Sequence, residues 1–486
     1  MRIFTLLLLL ASFATQAKPK HPNIIFILAD DLGYGDVRAM NPQGKIPTPN
    51  IDRIAAAGLT FTDAHSPSSV CTPTRYGILT GRYAWRTRLK ENVLVSYDPP
   101  LIEPGRTTLP GMLRGRGYRT AVIGKWHLGM NWTTKDGQRP VDKPDRNNLD
   151  YKASITGGPL EQGFDDFFGM DAPNYPPYTF MEQRSLLGTL DSFYQKHAYR
   201  DCRQGTGVQL WNLEQILPTL KQRSVRYIRE AKDAGKPFFL YLPLTGPHTP
   251  IAPSPDFKGI SGLNAYADFV MEVDDLVGAV LDQLKATGQL ENTIVVFSAD
   301  NGCSPEANFN FLRQQGHHPS GIYRGHKADI FEGGHRVPLL VQWPAHIPAG
   351  RVVSQTVCLT DFMAAFASLT GYRLKDGEAE DAYDILPLML NPSYAQTIRE
   401  ATVHHSYLGD YAIRQGKWKL ILTAGSGGWS FPIKPDDLKG LPPVQLYDLD
   451  TDPGETKNLQ DLHPEKVASL KALLAGYQQT GRSVRR

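Results

Sequence analysis

Four apolar runs in this chain end in residues able to hold a cation or move a proton. NIIFILA from Asn23 is followed by Asp30 and Asp31, and TAVIG from Thr120 by Lys125 and His127. FFLYLPLTGP from Phe238 is followed by His248, and TIVVFSA from Thr293 by Asp300 and Asn301. Three carboxylates and an amide oxygen are hard ligands that suit Ca²⁺ or Mg²⁺, whereas zinc prefers nitrogen and sulfur. Brought together without a cation, the carboxylates would repel one another. Asp after a strand is often only a turn residue, so Asp30 with Asp31 weighs little until Asp300 and Asn301 join them at a second strand end. Glycine and proline shape the loops GKWHLG from Gly124 and GPHTP from Gly246, and GHKADIFEGGHRVP from Gly325 adds Lys327. Two lysines, an arginine and a divalent cation would bind a tetrahedral oxyanion and stabilise charge on its oxygens.

One further segment is more specific. SVCTPTRYGILTGR begins at Ser69 and contains Cys71, Pro73, Arg75, Leu79, Gly81 and Arg82. Bare Cys-x-Pro-x-Arg recurs by chance. Extended by Leu79, Gly81 and Arg82, and following a strand that ends in Asp-Asp, it resembles the signature of the type I, formylglycine-dependent sulfatases, arylsulfatase-like members of the alkaline phosphatase-like superfamily. The likeness runs from PNIIFILADDLGYGD to the KWKLI and LYDLDTDPGE segments near the C-terminus.

The resemblance implies that a formylglycine-generating enzyme converts Cys71 to Cα-formylglycine. The modified residue would bind Ca²⁺, or Mg²⁺ in its place, together with Asp30, Asp31, Asp300 and Asn301. It also implies that Arg75 supports the hydrate of the aldehyde and that Lys125 and Lys327 contact sulfate oxygens. His127 would partner the hydrate's spare hydroxyl, and His248 would protonate the leaving alcohol. A hydrated aldehyde has one hydroxyl to attack sulfur and a second whose deprotonation re-forms the carbonyl and expels sulfate; a serine ester would need water for that exit. Thr74 stands where Ser is commoner in the family. A polar residue that some members carry after a segment like GFDDFFG is not evident here, and Asn174 is its nearest substitute. Exported sulfatases of this kind resemble glycan desulfating enzymes, so a sulfated saccharide is the expected substrate and aryl sulfates incidental ones. The alternatives are a phosphate or phosphonate ester hydrolase on the same sheet, or a non-catalytic binder of sulfated glycans.

The elements that must position these groups follow a simple grammar. Short runs rich in β-branched and aromatic residues, without strict alternation, read as strands covered on both faces, and VPLLVQW from Val337 is a fifth. Helices are expected near 50–58, with Asn50 as cap, and at 213–234 and 265–286. The fold class is therefore α/β, a large mostly parallel sheet sandwiched by helices, with its ligand crevice beyond the strands' carboxyl ends. Residues 130–205 break the rhythm and are candidates to shape the site, with Tyr175, Tyr178, Phe180, His317 and His318 as possible lining. The runs from Tyr411 and Val444 predict a small antiparallel sheet followed by a helix at 463–479. The expected division is a catalytic domain over 18–390 and a smaller C-terminal unit over 391–486.

Residues 1–17, MRIFTLLLLLASFATQA, have the cation, apolar run and small-residue end of a secretory signal, so the chain is expected to be exported to the periplasm or medium. No apolar stretch is long enough for an integral membrane span. With 52 basic and 49 acidic residues and a net charge of +3, no counterion-release argument favours nucleic acid. Four cysteines are too few for a disulfide scaffold, and with Cys71 modified, Cys202, Cys303 and Cys358 allow at most one internal bridge.

Overall fold

The computed structural model describes residues 21–195 and 202–485. The leader expected at 1–17 lies outside the described residues. Ten strands form the main sheet: β1 (Asn23–Ala29), β2 (Leu59–Phe61), β3 (Arg119–Lys125), β4 (Asp166–Met170), β5 (Met181–Glu182), β6 (Ser185–Leu186), β7 (Phe238–Pro243), β8 (Thr293–Ala299), β9 (Leu339–Gln342) and β10 (Arg351–Val353). Their order is β10-β2-β9-β8-β1-β7-β3-β4-β5-β6. Every residue of β1, β7 and β8 is buried, which is why these segments are unbroken apolar runs.

The five central strands β8, β1, β7, β3 and β4 run parallel, so their carboxyl ends share one edge. The run from Val337, which looks in sequence like another parallel strand, is antiparallel to both neighbours. Its direction has a use. β8 delivers the chain to the carboxyl edge, residues 300–338 stay there carrying Lys327, and β9 returns from it.

Two groups of mutually packed helices flank the sheet. Pro49–Ala57, Ile216–Asp233 and Ala265–Ala286 make one, and Cys71–Thr80, Leu109–Gly115 and Phe362–Leu369 the other. The first helix is capped by Thr48 rather than Asn50. Pro49 fits the first helical position, and the Asn50 backbone N–H donates to Asp274 at 2.9 Å instead.

The C-terminal sheet, β11 (Thr402–His405), β12 (Tyr411–Gln415), β13 (Trp418–Ile421) and β14 (Gln445–Asp448), is antiparallel in sequence order. With the Pro464–Thr480 helix it closes a core that also takes in Tyr83, Trp85 and Cys358 of the main body. Buried ion pairs lock the two parts. Lys419 bridges Glu332 and Glu455 at 3.1 and 2.8 Å, and Arg414 grips both oxygens of Asp63 at 2.7 and 2.8 Å. Removing one partner of such a pair leaves an uncompensated buried charge. His65, His335 and His404 lie in the same seam. The last two rings stack at 3.7 Å and 9°, and the two ring nitrogens of His335 lie 3.1 Å from His65 Nδ1 and 3.0 Å from Lys419 Nζ. None of the four cysteines is in a disulfide, so no bridge joins Cys202, Cys303 or Cys358.

Gly124 shows how tightly the sheet sets the site. Its φ is +135°, and a Cβ there would lie 1.9 Å from the Pro243 carbonyl oxygen on β7. Gly124→Ala is expected to cost about 2–4 kcal/mol through backbone strain and overpacking, read as a lower midpoint in denaturant unfolding. An unchanged midpoint would show that β3 and β7 are not so closely apposed.

Candidate active site

β1 ends in Asp30 and Asp31, both fully buried. The Asp30 backbone N–H donates to Gly246 at 3.0 Å and that of Asp300 to Ala29 at 3.1 Å, which ties three strand ends together. Asp31 turns the chain with φ +64°, a region aspartate tolerates better than most residues. Its carboxylate accepts from Asn301 Nδ2 at 2.8 Å and pairs with Lys327 Nζ at 2.7 Å.

Cys71 is the first residue of the Cys71–Thr80 helix, all ten of whose residues are buried. Pro73 lies in the first turn, where its missing N–H is no loss, and Gly81 closes the helix at φ +63°. Arg75, one turn on from Cys71, donates to Asp300 Oδ2 through Nε and Nη2 at 3.1 and 2.7 Å and to the Lys125 carbonyl at 3.0 Å. Thr74 donates to the Ser68 carbonyl at 3.1 Å, a task its hydroxyl shares with the commoner serine. The loop before Cys71 is held from two sides: Ser69 receives the Ala328 N–H at 2.8 Å, and its own N–H reaches His405 at 3.1 Å.

Lys125 pairs with Asp30 at 2.8 Å. His127 Nε2 lies 2.9 Å from the Leu94 carbonyl, so that nitrogen carries the proton. His127 Nδ1 is then a buried acceptor with no partner among the described residues. His248 uses Nδ1 to donate to the Thr249 carbonyl and turns Nε2 towards Asp31 Oδ2, 3.7 Å away. Burial and the lysines hold both imidazoles well below the usual histidine range, so they are neutral. For His248, the nearby positive charges are those of Lys327 and Lys125, which a bound anion would offset.

Burial pushes Asp31 up to about 7 and Asp300 up to about 6, the charge of Asp30 adding to both. Burial acts on Asp30 in the same sense, but Lys125 and Arg75 outweigh it and hold that group below the carboxylate range. Asp30 Oδ1 and Asn301 Oδ1 are buried oxygens without a hydrogen-bond partner among the described residues. One oxygen from each of Asp30, Asp31 and Asp300 lies within 4.8 Å of the others. Orphaned oxygens beside crowded carboxylates fit a hard divalent cation.

The residues expected from sequence thus meet at one edge: Asp30, Asp31, Cys71, Arg75, Lys125, His127, His248, Asp300, Asn301 and Lys327. The looser expectations divide. Tyr175 belongs to the site, its ring edge-on to His127 at 5.5 Å. Tyr178 is a brace, its hydroxyl bonded to the Asn174 and Arg203 carbonyls, and Phe180 stacks on Phe168 at 5.1 Å in a small core. His317 is structural, bonding Asp36 at 2.8 Å and receiving the Lys45 N–H at 3.1 Å, while His318 is exposed. Asn174 contributes its carbonyl to Tyr178 and Arg203. The acid passed over in sequence is Asp171, which follows β4 as Asp30 follows β1. Burial pushes it up to about 7, Lys125 partly opposing, and its Oδ1 has no partner among the described residues.

Three carboxylates face three side-chain cations here, so a divalent ion would leave the crevice net positive. A negatively charged ester is what such a crevice accepts, and together with the parallel sheet this places the protein among hydrolases of anionic esters. More narrowly, the chain belongs to the sulfatase family, whose model, Sulfatase, matches residues 22–372. It is 32% identical to the N-acetylgalactosamine-6-O-sulfatase of Bacteroides thetaiotaomicron, over 93% of this chain and 92% of that one. It is 33% identical to arylsulfatase A of Bos taurus, over 97% and 90%. A solved structure described under metabolism of multiple glycosaminoglycans by Bacteroides thetaiotaomicron matches with a TM-score of 0.82 and 30% identity, over 95% of this chain and 100% of that one. The protein is therefore an enzyme that hydrolyses sulfuric esters.

Because Asp31 and Asp300 titrate at about 7 and about 6 without a cation, they must shed protons to bind one as pH falls. Calcium affinity of metal-stripped protein is therefore expected to drop at least about tenfold between about pH 8 and about pH 5.5, with proton release on binding. Titration calorimetry giving equal affinities would contradict this reading.

Proposed function

We propose that the protein removes O-sulfate from saccharides, with Cα-formylglycine made from Cys71 as its nucleophile. Ca²⁺, or Mg²⁺ in its place, would be held by Asp30, Asp31, Asp300 and Asn301 with residue 71. Export on a leader at 1–17 would place the enzyme in the periplasm or medium, and a formylglycine-generating enzyme would act on it during maturation.

The observation that carries this reading is the setting of Cys71. Burial pushes its thiol up although Lys125 and Lys327 oppose the shift. The thiol is therefore held protonated in the crevice where a nucleophile is needed. Its oxidised form removes that contradiction. The hydrate would supply a hydroxyl to attack sulfur and a second to expel sulfate, while the cation would stabilise oxyanion charge.

The chain's own residues would divide the remaining work. Lys125 and Lys327, fixed by Asp30 and Asp31, hold sulfate oxygens and neutralise charge that grows in the transition state. Arg75, anchored on Asp300, holds the base of the nucleophile's helix and needs no movement to do so. His127, with its proton on Nε2, offers Nδ1 as the base for the spare hydroxyl. His248 presents Nε2 as the acid for the leaving alcohol, taking up a proton when the anionic ester offsets the lysines. Among the described residues no helix is long and apolar enough to cross a membrane. The N-acetylgalactosamine-6-O-sulfatase relative supports a saccharide substrate.

A panel of defined sulfated oligosaccharides, scored by the position desulfated, tests the substrate. Sulfate release from sugars is expected, and turnover of small aryl sulfates alone would overturn the saccharide reading. His248→Ala is expected to lower kcat on a sugar sulfate by about 10²–10⁴-fold and to affect an activated aryl sulfate far less, because a phenolate leaves without a proton. Equal losses on both would remove His248 from the acid's role. Lys327→Ala should fold normally and lose activity, and wild-type turnover would show that the anion lies elsewhere.

A further inference from the structure

A loop of the C-terminal part, residues 424–433, packs directly on the loop carrying Lys327. Ile330 donates its backbone N–H to Ser426 at 2.7 Å, and both Trp429 and Ser430 donate theirs to Asp329 Oδ1 at 2.9 Å. Contact is close enough that a Cβ on Gly428 would lie 2.4 Å from Ala328 backbone atoms. Trp429 is consequently fixed relative to Lys327, whose Nζ lies 5.8 Å from its ring centroid. Tyr407 buttresses the indole from another side, edge to face at 5.5 Å, and is itself tied to the Ala328 carbonyl at 3.0 Å.

An indole held this firmly would be expected to fill a core, yet Trp429 is 36% exposed. Phe431, two residues on, is 74% exposed. The loop itself is held by polar bonds among Ser426, Asp329 and Ser430 and not by either ring. A rigid, part-exposed ring within a few ångströms of an anion-binding lysine has the place and chemistry of a platform for the group that carries the anion. A pyranose offers such a ring an apolar face of C–H groups, slightly positive where the aromatic face is negative, and the indole N–H is a donor for a hydroxyl. A phenyl ring could stack too, but a flexible alkyl chain would gain little.

We infer that Trp429 is a specificity-determining residue that stacks on the sugar ring bearing the sulfate ester, so the C-terminal unit supplies the saccharide subsite for chemistry performed on the main sheet. This rests on the saccharide reading above, and the test separates the two. Steady-state kinetics on a sulfated mono- or disaccharide would compare wild type with Trp429→Ala, Trp429→Phe and Trp429→Leu. Trp429→Ala is expected to raise KM about tenfold with kcat changed less than about twofold. Trp429→Phe should recover most of the loss, and Trp429→Leu, apolar but without a ring face, should not. Inhibition by inorganic sulfate should be unchanged throughout, because that ion needs the lysines and no platform. Unchanged KM in folded Trp429→Ala, equal recovery by Leu and Phe, or weakened inorganic sulfate binding would each overturn the inference. If Trp429→Ala does not fold, the Phe and Leu pair decides it. Wild-type protein that desulfates an aryl ester and no saccharide would overturn both the stacking role and the saccharide reading.

Discussion

Asp30, Asp31 and Asp300 are fully buried with an oxygen of each within 4.8 Å of the others, and the rest of the site answers that constraint. Buried like charges repel strongly, so each acid must be matched by a fixed cation or else be protonated. Lys125 pairs with Asp30, Lys327 with Asp31, and Arg75 with Asp300 and more distantly with Asp30, while the oxygens without a hydrogen bond suit a hard divalent ion. The same lattice fixes the lysines that would grip an oxyanion. Binding site and electrostatic compensation are one arrangement, preorganised by strands that cannot shift without breaking the sheet.

That arrangement draws on both parts of the chain. Lys327 sits on the long excursion between β8 and β9, too long to hold its shape unaided. It is pinned by the 424–433 loop, by Ser69 next to the Cys71–Thr80 helix, and by the Cys303 carbonyl that receives its N–H at 2.9 Å. Behind it, Lys419 and Arg414 anchor the C-terminal sheet on Glu332 and Asp63. The small sheet therefore supports the candidate site, because without it Lys327 would lose part of its support.

Much of this was legible in the residues themselves. Continuous apolar runs betray strands buried on both faces, and polar residues after them mark the carboxyl edge; Asp30, Lys125, His248 and Asp300 were found on that logic. Other features carry no local signal. β9 has the composition of the parallel strands because burial, not direction, sets composition, so its reversal is visible only in the ladder. Asp171 obeys the same strand-end rule as Asp30 but was obscured by the preceding acids of GFDDFFG. His317 has the look of a site residue, and only its bonds to Asp36 and Lys45 show it to be a brace. Thr402–His405 is a short buried strand that alternation could not reveal, all four residues being covered.

At the centre stands residue 71, a side chain that burial keeps from acting as a thiolate while everything around it is arranged for attack on an anionic ester. Mass spectrometry of the peptide spanning Cys71, taken from fully active protein, tests this most directly. The account predicts an aldehyde, or its hydrate, in place of the thiol; full activity with the cysteine sulfur intact would contradict it.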